Sequence, residues 1–376
     1  MPDRSSSLSR PFACANCGRS IPAQGHPYQC PQCGGHFDFD KPLVYDPLDM
    51  PAEPSRGLAR YRRSFPLGEA PFISLGEGGT PLSRLVVGGR SLFLKNEQLN
   101  PTGSFKDRGT SVLVSALAAE GVEKAVEDSS GNAGASFAAY ASRAGWQAKV
   151  FVPDYAAGPK RRQIEAYGAE VVRVLGPRSA ATEAALAEVE RGSVYASHAH
   201  LPYGLAGIAT LAFELYEQLG REPGALVLPV GQGTLLLGAY RGFLALRAAG
   251  RIERLPQIIG VQAMACAPLW AVFSGGASRL QWVQERETAA EGIRILRPLR
   301  GDDVLAAITA SRGKMVAVEE AEILAGRDWL SRHGFFVEPT SAVVWPAFEQ
   351  LADELPDPIV LVLTGSGMKD PRNGSA

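Results

Sequence analysis

Asn100-Pro101-Thr102-Gly103-Ser104-Phe105-Lys106-Asp107-Arg108-Gly109 puts one lysine on a tight turn at the entrance to a helix. Asn-Pro and Thr-Gly are turn-forming pairs, and a helix-competent run, Ser111 to Glu120, follows at once. The first N–H groups of a helix lack intrahelical partners and its dipole is positive there. A cation held in that environment has its pKa lowered. A lysine must lose its proton before it attacks a carbonyl. The alternative for Lys106-Asp107-Arg108 is a solvated charge cluster without chemical consequence.

Outward from that turn, apolar strand-like runs alternate with helix-period segments. Leu92 to Lys95 is a short strand leading into the lysine turn, and Ala125-Val126 leads to Ser129-Ser130-Gly131-Asn132, which opens an Ala-rich helix. Lys149 to Val152 is a strand, Pro159 begins a helix that breaks at Gly168, and Glu170 to Val174 is the next strand. A helix over Leu205 to Leu219 precedes the buried-type strand Ala225 to Val230, and a further helix runs to Ala249. Strands recur at Ile258–Gln262, Val316–Val318 and Ile359–Leu363. This alternation predicts an α/β fold of parallel sheet with helices on both faces.

The 376 residues, 45% hydrophobic and 20% charged, suffice for one large or two ordinary globular domains. A formal net charge of -1 argues against a general nucleic-acid or membrane-surface role. No apolar run approaches the roughly 18 residues of a membrane span. The first ten residues are polar, without the apolar stretch of a secretory signal. The expectation is a cytoplasmic enzyme with neither nucleic acid nor membrane as partner.

Four of the five cysteines form Cys14-x2-Cys17, twelve residues, then Cys30-x2-Cys33. Two such pairs flanking a short loop bring four thiolates to one tetrahedral metal, usually zinc. Disulfides or redox pairs are the alternative. A closed four-thiolate site has no open position for substrate, so its zinc is structural. Cys266 reads as a buried core thiol. Residues 1–40 thus form a zinc ribbon, and 41–71 a proline-rich linker with little regular structure, lying along the next domain. Residues 72–370 form the catalytic domain, and 371–376 a frayed tail.

In a parallel α/β sheet, ligands gather where strand C-termini meet helix N-termini. Four such junctions carry unusual residues. The first is the Lys106 turn. Ser129-Ser130-Gly131-Asn132 offers hydroxyls, a carboxamide and exposed N–H groups to a carboxylate or phenolate oxygen. Gly231-Gln232-Gly233-Thr234 lets backbone approach a phosphate, and Thr364-Gly365-Ser366-Gly367 ends the last strand with two hydroxyls. Leu236 stands where the dinucleotide fingerprint needs glycine. A phosphate cradle, a lysine on a turn, and partners for a ring oxygen and a ring nitrogen together describe a pyridoxal phosphate site.

With these motifs in order, the chain resembles threonine synthase, within the two-lobed fold-type II (tryptophan synthase β-like) pyridoxal phosphate enzymes. Glu77 to Leu82, Glu287-Thr288, Ala290 to Ile295 and Val337 to Ala342 extend the resemblance over about residues 70–370. An N-terminal zinc ribbon resembles that of some threonine synthases. The resemblance implies that Lys106 is the Schiff-base lysine and shuttling acid/base. Asn132 would bond the cofactor's phenolic oxygen. Gly231, Gln232, Gly233, Thr234 and Leu235 would hold its phosphate, and Thr364 would face its ring nitrogen. A hydroxyl there does not hold the nitrogen protonated, which suits elimination or replacement chemistry. Ser129, Ser130 and Gly131 would lie near the carboxylate of a small amino-acid substrate.

Two positions depart from the family. Ala133 follows Asn132 where threonine synthases have a hydroxyl, and Gly204 stands where they have an arginine for the substrate phosphate. His198 or His200 would then meet the substrate's distal group. The implied activity is a lyase acting at the β or γ carbon, converting O-phosphohomoserine to threonine if the family activity is kept. A threonine/serine dehydratase and a non-catalytic binding protein are the alternatives. The family is commonly dimeric, so a homodimer is expected.

Overall fold

The computed structural model describes residues 10–49, 54–156 and 158–370. The tail expected to fray, 371–376, and the first nine residues of the expected ribbon lie outside them. In chain order the strands are β1 (Phe12–Cys14), β2 (Phe37–Phe39), β3 (Leu82–Val87), β4 (Arg90–Asn96), β5 (Lys124–Glu127) and β6 (Gln147–Pro153). They continue as β7 (Glu170–Val174), β8 (Val194–Tyr195), β9 (Ala225–Pro229), β10 (Gln257–Ala263), β11 (Lys314–Val318) and β12 (Ile359–Leu363). The helices that shape the site are α1 (Lys106–Ala119), α2 (Asn132–Arg143), α3 (Pro159–Ala166), α4 (Arg178–Glu190), α5 (Tyr203–Leu219) and α6 (Thr234–Ala248).

Two sheets make two lobes. The larger has the order β11-β10-β9-β12-β4-β3, the smaller β7-β6-β5-β8. Their pairings are parallel except for β3, which runs antiparallel to β4 at an edge. β9 and β12 are buried at every position. Leu226, Leu228, Val360 and Val362 join the core beneath α1, α5 and α6. Val227, Ile359 and Leu361 join the opposite core with Val344, Trp345 and Phe348. A strand covered on both faces reads as an unbroken apolar run, which is why ALVLP and IVLVL stand out in the sequence. α1 and α5 cross closely: a Cβ at Gly207 would lie 1.9 Å from the Arg108 carbonyl oxygen, and one at Gly204 3.2 Å from that of Gly109.

The ribbon is the antiparallel pair β1–β2, docked on the catalytic domain. Phe12 stacks edge-on with Tyr203 at 4.6 Å, Arg10 pairs with Glu120 at 2.6 Å, and Asp38 meets Arg300 at 3.1 Å and Arg241. The segment expected to lack regular structure contains 3-10 turns over Pro54–Ser64, interrupted by a kink at Gly57. A three-residue turn leaves no 3.6-residue apolar period to read, yet Leu58, Tyr61, Phe65 and Leu67 along this stretch are buried.

Candidate active site

The helix of the lysine turn begins at Lys106 rather than Ser111. Gly109 argues against helix on propensity, but it lets α1 lie against α5 at Gly204. Asp107 fixes the turn: the Thr102 N–H and hydroxyl donate to its carboxylate at 2.7 and 2.6 Å, and the Ser136 hydroxyl at 2.7 Å. Asp107 and Arg108 are fully buried, so the tripeptide is no solvated cluster. Burial pushes the Lys106 pKa down to about 8, with Glu127 opposing, Arg178 adding and Glu338 opposing. Desolvation, more than the helix terminus invoked from the sequence, lowers it.

The exit of β12 ties the turn to the rest of the site. The Phe105 N–H donates to the Thr364 carbonyl at 3.0 Å, and Ser366 N–H to the Gly103 carbonyl at 3.0 Å. On its other side Glu338 N–H donates to the Gly365 carbonyl at 3.0 Å. Asn132 opens α2, and its Nδ2 donates to Glu338 Oε1 at 2.7 Å; Lys160 on α3 pairs with Glu338 at 2.9 Å. Asn132 Oδ1 and Thr364 Oγ1 are buried without hydrogen-bond partners. Ser129 is buried, its Oγ accepting the Gly131 N–H at 3.2 Å, while Ser130 and Gly131 are partly exposed.

Gly231, Gln232 and Gly233 link β9 to Thr234, the first residue of α6. Gly233 has φ +87°, and a Cβ there would lie 2.3 Å from Val304; one at Gly231 would lie 3.0 Å from the Gly292 carbonyl oxygen. Gln232 accepts the Leu299 N–H at 3.1 Å, holding the loop. Thr234 and Leu235 are buried in the helix's first turn, where N–H groups lack intrahelical partners.

His198 lies beside the strand-end acid Glu127, Nδ1 to Oε1 3.2 Å. Burial, then Lys106, Arg178 and His200, hold its pKa well below the usual range, so what it can offer an anion is a neutral N–H donor rather than a positive charge. His200 is drawn instead toward the ribbon, edge-on to Tyr28 at 5.4 Å. Gly204 is turned against Gly109 and offers no side chain.

Sequence reasoning missed Glu127, Lys160, Glu338 and Lys369 as site residues. Glu338 sits inside a motif already conspicuous and Lys369 two residues beyond another, but a buried acid ending β5 has no local signature. Lys369 Nζ is buried without a hydrogen-bond partner, and burial lowers its pKa to about 8. A cavity of about 550 Å³ opens beside Glu338, lined also by Tyr155, Lys160, Glu291 and Thr340.

The donor set fits pyridoxal phosphate: an amine with lowered pKa, an uncommitted carboxamide oxygen beside an amide with a second hydrogen, an orphan hydroxyl, and a glycine-cleared helix terminus. The cysteines also fit a metal. All four sulfurs lie within 4.8 Å of one another, with Cys14–Cys33 at 3.5 Å and Cys17–Cys30 at 3.8 Å. A tetrahedron of thiolates about 2.3 Å from zinc has edges near ~3.8 Å. The cysteines are not disulfide-bonded.

The profile of the family described as pyridoxal-phosphate dependent enzyme matches residues 73–365. The chain is 34% identical to a threonine synthase of Methanocaldococcus jannaschii, over 95% of this chain and 92% of that one. It is 37% identical to a threonine synthase of Synechocystis sp., over 84% of each. Among solved structures, a threonine deaminase from T.th. is similar with TM-score 0.64 and 30% identity, over 76% of this chain and 92% of that one. Maize serine racemase, at TM-score 0.65 and 22% identity over 77% and 88%, shares the fold.

Proposed function

The chain belongs to the pyridoxal-phosphate dependent enzyme family as a lyase of threonine synthase type, and we propose that Lys106 holds its cofactor. The observation that carries this reading is the convergence on the Lys106 turn of Asn132, Glu338 and Thr364, two of them with unpartnered buried oxygens. When bound, pyridoxal phosphate supplies a carbonyl for amines and a sink for the electrons of the Cα–H bond. In this reading Lys106 supplies the amine and then takes the Cα proton. The second hydrogen of Asn132 Nδ2 meets the ring oxygen, and Thr364 Oγ1 the ring nitrogen. The N–H groups of Gly231 to Leu235, with the Thr234 hydroxyl, hold the phosphate. Ser129, Ser130 and Gly131 orient the carboxylate of a small amino acid, and His198 faces its distal end.

The reaction breaks a bond at the β or γ carbon. O-phosphohomoserine is the substrate suggested by the threonine synthase relatives. A second reading, an L-threonine or L-serine dehydratase, is favoured by Ala133 and by Gly204, which packs against Gly109 and itself offers no charged group to a phosphate. Incubation with O-phosphohomoserine, L-threonine and L-serine, assaying phosphate, 2-oxobutyrate and pyruvate, separates them. Added cofactor is expected to give a band near ~410–420 nm that Lys106→Ala abolishes; wild-type protein without the band would sink the reading. Bound cofactor with no turnover of any amino acid would favour a binding protein.

The four cysteines would hold a structural zinc, supported by their spacing and sulfur geometry. No described helix is long and apolar enough to cross a membrane. A homodimer in the cytoplasm completes the reading, supported by the resemblance and the composition.

A further inference from the structure

Beside Lys106 lies a polar pair that these roles leave largely unused. Glu127 ends β5, and β8 is its parallel neighbour, with Val126 opposite Tyr195. The Ala196 N–H donates to the Val126 carbonyl at 2.9 Å, carrying the chain across the same sheet edge. Two residues on, His198 Nδ1 comes within 3.2 Å of Glu127 Oε1. The Glu127 side chain is 1% exposed and its Oε2 has no hydrogen-bond partner. The His198 side chain is 25% exposed, and its Nε2 has no partner among the described residues. The pair is closed at one end and open at the other.

The charged groups around it are Lys106 from α1, Arg178 from α4, the adjacent Asp128 and His200. Asp128 is engaged by Thr182 at 2.5 Å and Tyr195 at 3.0 Å. Burial and then Asp128 push the Glu127 pKa well above the carboxylate range, against Lys106 and Arg178. With His198 neutral as well, the consistent arrangement has the acid's O–H donating to Nδ1 and the Nε2 hydrogen facing the open side. Protonated Oε1 then needs no second acceptor, and Oε2 is not a stranded charge.

We propose that Glu127 and His198 form the acid that protonates the leaving group, and that the substrate is an amino acid whose leaving group is a hydroxyl. This rests on Lys106 holding the cofactor. The Cα proton passes to the Lys106 amine, and the Cα–H electron pair becomes the Cα=Cβ bond. The Cβ–O bond breaks with its pair on oxygen, which takes the His198 Nε2 proton; His198 takes the Glu127 proton at Nδ1. Water leaves; before the next turnover the proton on Lys106 passes through solvent to His198 Nε2 while the Nδ1 proton returns to Glu127, which restores both groups. Phosphate departs as a stable anion and needs no such donor.

The test compares L-threonine and L-serine with β-chloro-L-alanine, whose chloride leaves without a proton. Glu127→Gln keeps a neutral hydrogen-bond donor to His198 but has no proton to release. Its kcat on the hydroxy amino acids is expected to fall about 100-fold or more, the scale of general acid catalysis, while kcat on β-chloro-L-alanine changes far less. The infrared difference between wild-type and Glu127→Gln protein should show a protonated-carboxyl C=O stretch. Equal losses on both kinds of substrate, no loss on either, wild-type turnover of O-phosphohomoserine alone, or an ionised Glu127 in the infrared would each overturn the proposal. The band near ~410–420 nm in both proteins keeps these outcomes distinct from failure of the cofactor reading.

Discussion

Arg108 and Lys106 stand two residues apart on the first turn of α1, in opposite kinds of polar interior. The guanidinium of Arg108 donates to Glu97 at 2.6 and 2.7 Å, to Glu214 at 2.8 and 2.7 Å, and to Thr210 at 2.9 Å. Lys95 completes the cluster, donating to Glu214 at 2.7 Å, the Thr80 carbonyl at 2.8 Å and Gln218 at 3.0 Å. Among the described residues the Lys106 amine makes no hydrogen bond and lies 4.9 Å from the Phe105 ring, and its neighbours Asn132 and Thr364 keep buried oxygens unpaired. One cluster is complete and holds α1, α5 and β4 in place. The other is incomplete, and buried polar atoms left unpaired in an ordered fold await a partner the chain does not supply.

The largest effects should divide along that line. Lys106→Ala is expected to abolish turnover and the cofactor band while leaving unfolding free energy within about 1 kcal/mol of wild type, since no hydrogen bond is lost. Arg108→Met takes the guanidinium from two buried carboxylates, leaving Glu214 to Lys95 and Glu97 to the neutral donors Thr80 and Asn100, and should cost about 3–5 kcal/mol in a denaturation series. If Arg108→Met unfolded like wild type, or Lys106→Ala fell by as much, the contrast would be broken.

Stripping the metal proposed for the ribbon comes next. The ribbon meets the catalytic domain through Phe12–Tyr203, Arg10–Glu120 and Asp38–Arg300, and Tyr28 packs on His200, two residues from His198. Chelation, or Cys14→Ser with Cys17→Ser, should lower the melting temperature by several degrees. It should weaken substrate binding more than cofactor binding, because among the described residues no hydrogen bond or ion pair joins the Lys106 turn to the ribbon. Unchanged melting on metal loss would remove the proposed zinc from the account.

What the sequence made legible follows the same division. Strands buried on both faces, the paired CxxC motifs and the glycine-flanked loops have local signatures, so the parallel sheet, the ribbon and the loops proposed for the cofactor could be picked out. The helix start at Lys106 was obscured by Gly109, whose reason is a helix crossing about a hundred residues away in sequence. Glu127 was invisible because a strand-ending glutamate reads as exposed until its sheet neighbour brings His198 beside it. Tertiary pairing, not local pattern, brings those residues together.

A smaller effect, in pH, sharpens the comparison. Despite desolvation, Arg108 and Lys95 hold Glu214 well below the carboxylate range, and Arg108 lowers Glu97. Their stabilisation is present above the unfolded pKa near ~4.5 and is lost as pH falls below it. Denaturation midpoints should therefore drop between pH 6 and 3 in wild type, and less steeply in Arg108→Met. Lys106 answers at the other end: with its pKa lowered to about 8, the neutral amine fraction rises as pH rises. Cofactor uptake by unloaded protein should accelerate about tenfold per unit up to pH ~8 and then level. A flat profile from pH 6 to 9 would contradict a lysine-limited step.

The smallest expected change is the most pointed. Thr364 Oγ1 is buried with no partner, while the residue's N–H is already bonded to Ser341 at 2.9 Å. Replacing the hydroxyl by a methyl of similar shape, Thr364→Val, removes a group that costs about 1–3 kcal/mol to bury unpaired. Unloaded Thr364→Val protein should therefore unfold at the same or a higher temperature than wild type, by a few degrees at most. Loaded with cofactor it should lose that advantage, because only wild type gains a hydrogen bond at the ring nitrogen. Thr364→Ser, which restores the oxygen, should return both measurements toward wild type. If Thr364→Val destabilised the unloaded protein by as much as Arg108→Met, the hydroxyl would belong to the complete kind of cluster, and the assignment of Thr364 to the cofactor would fall with it.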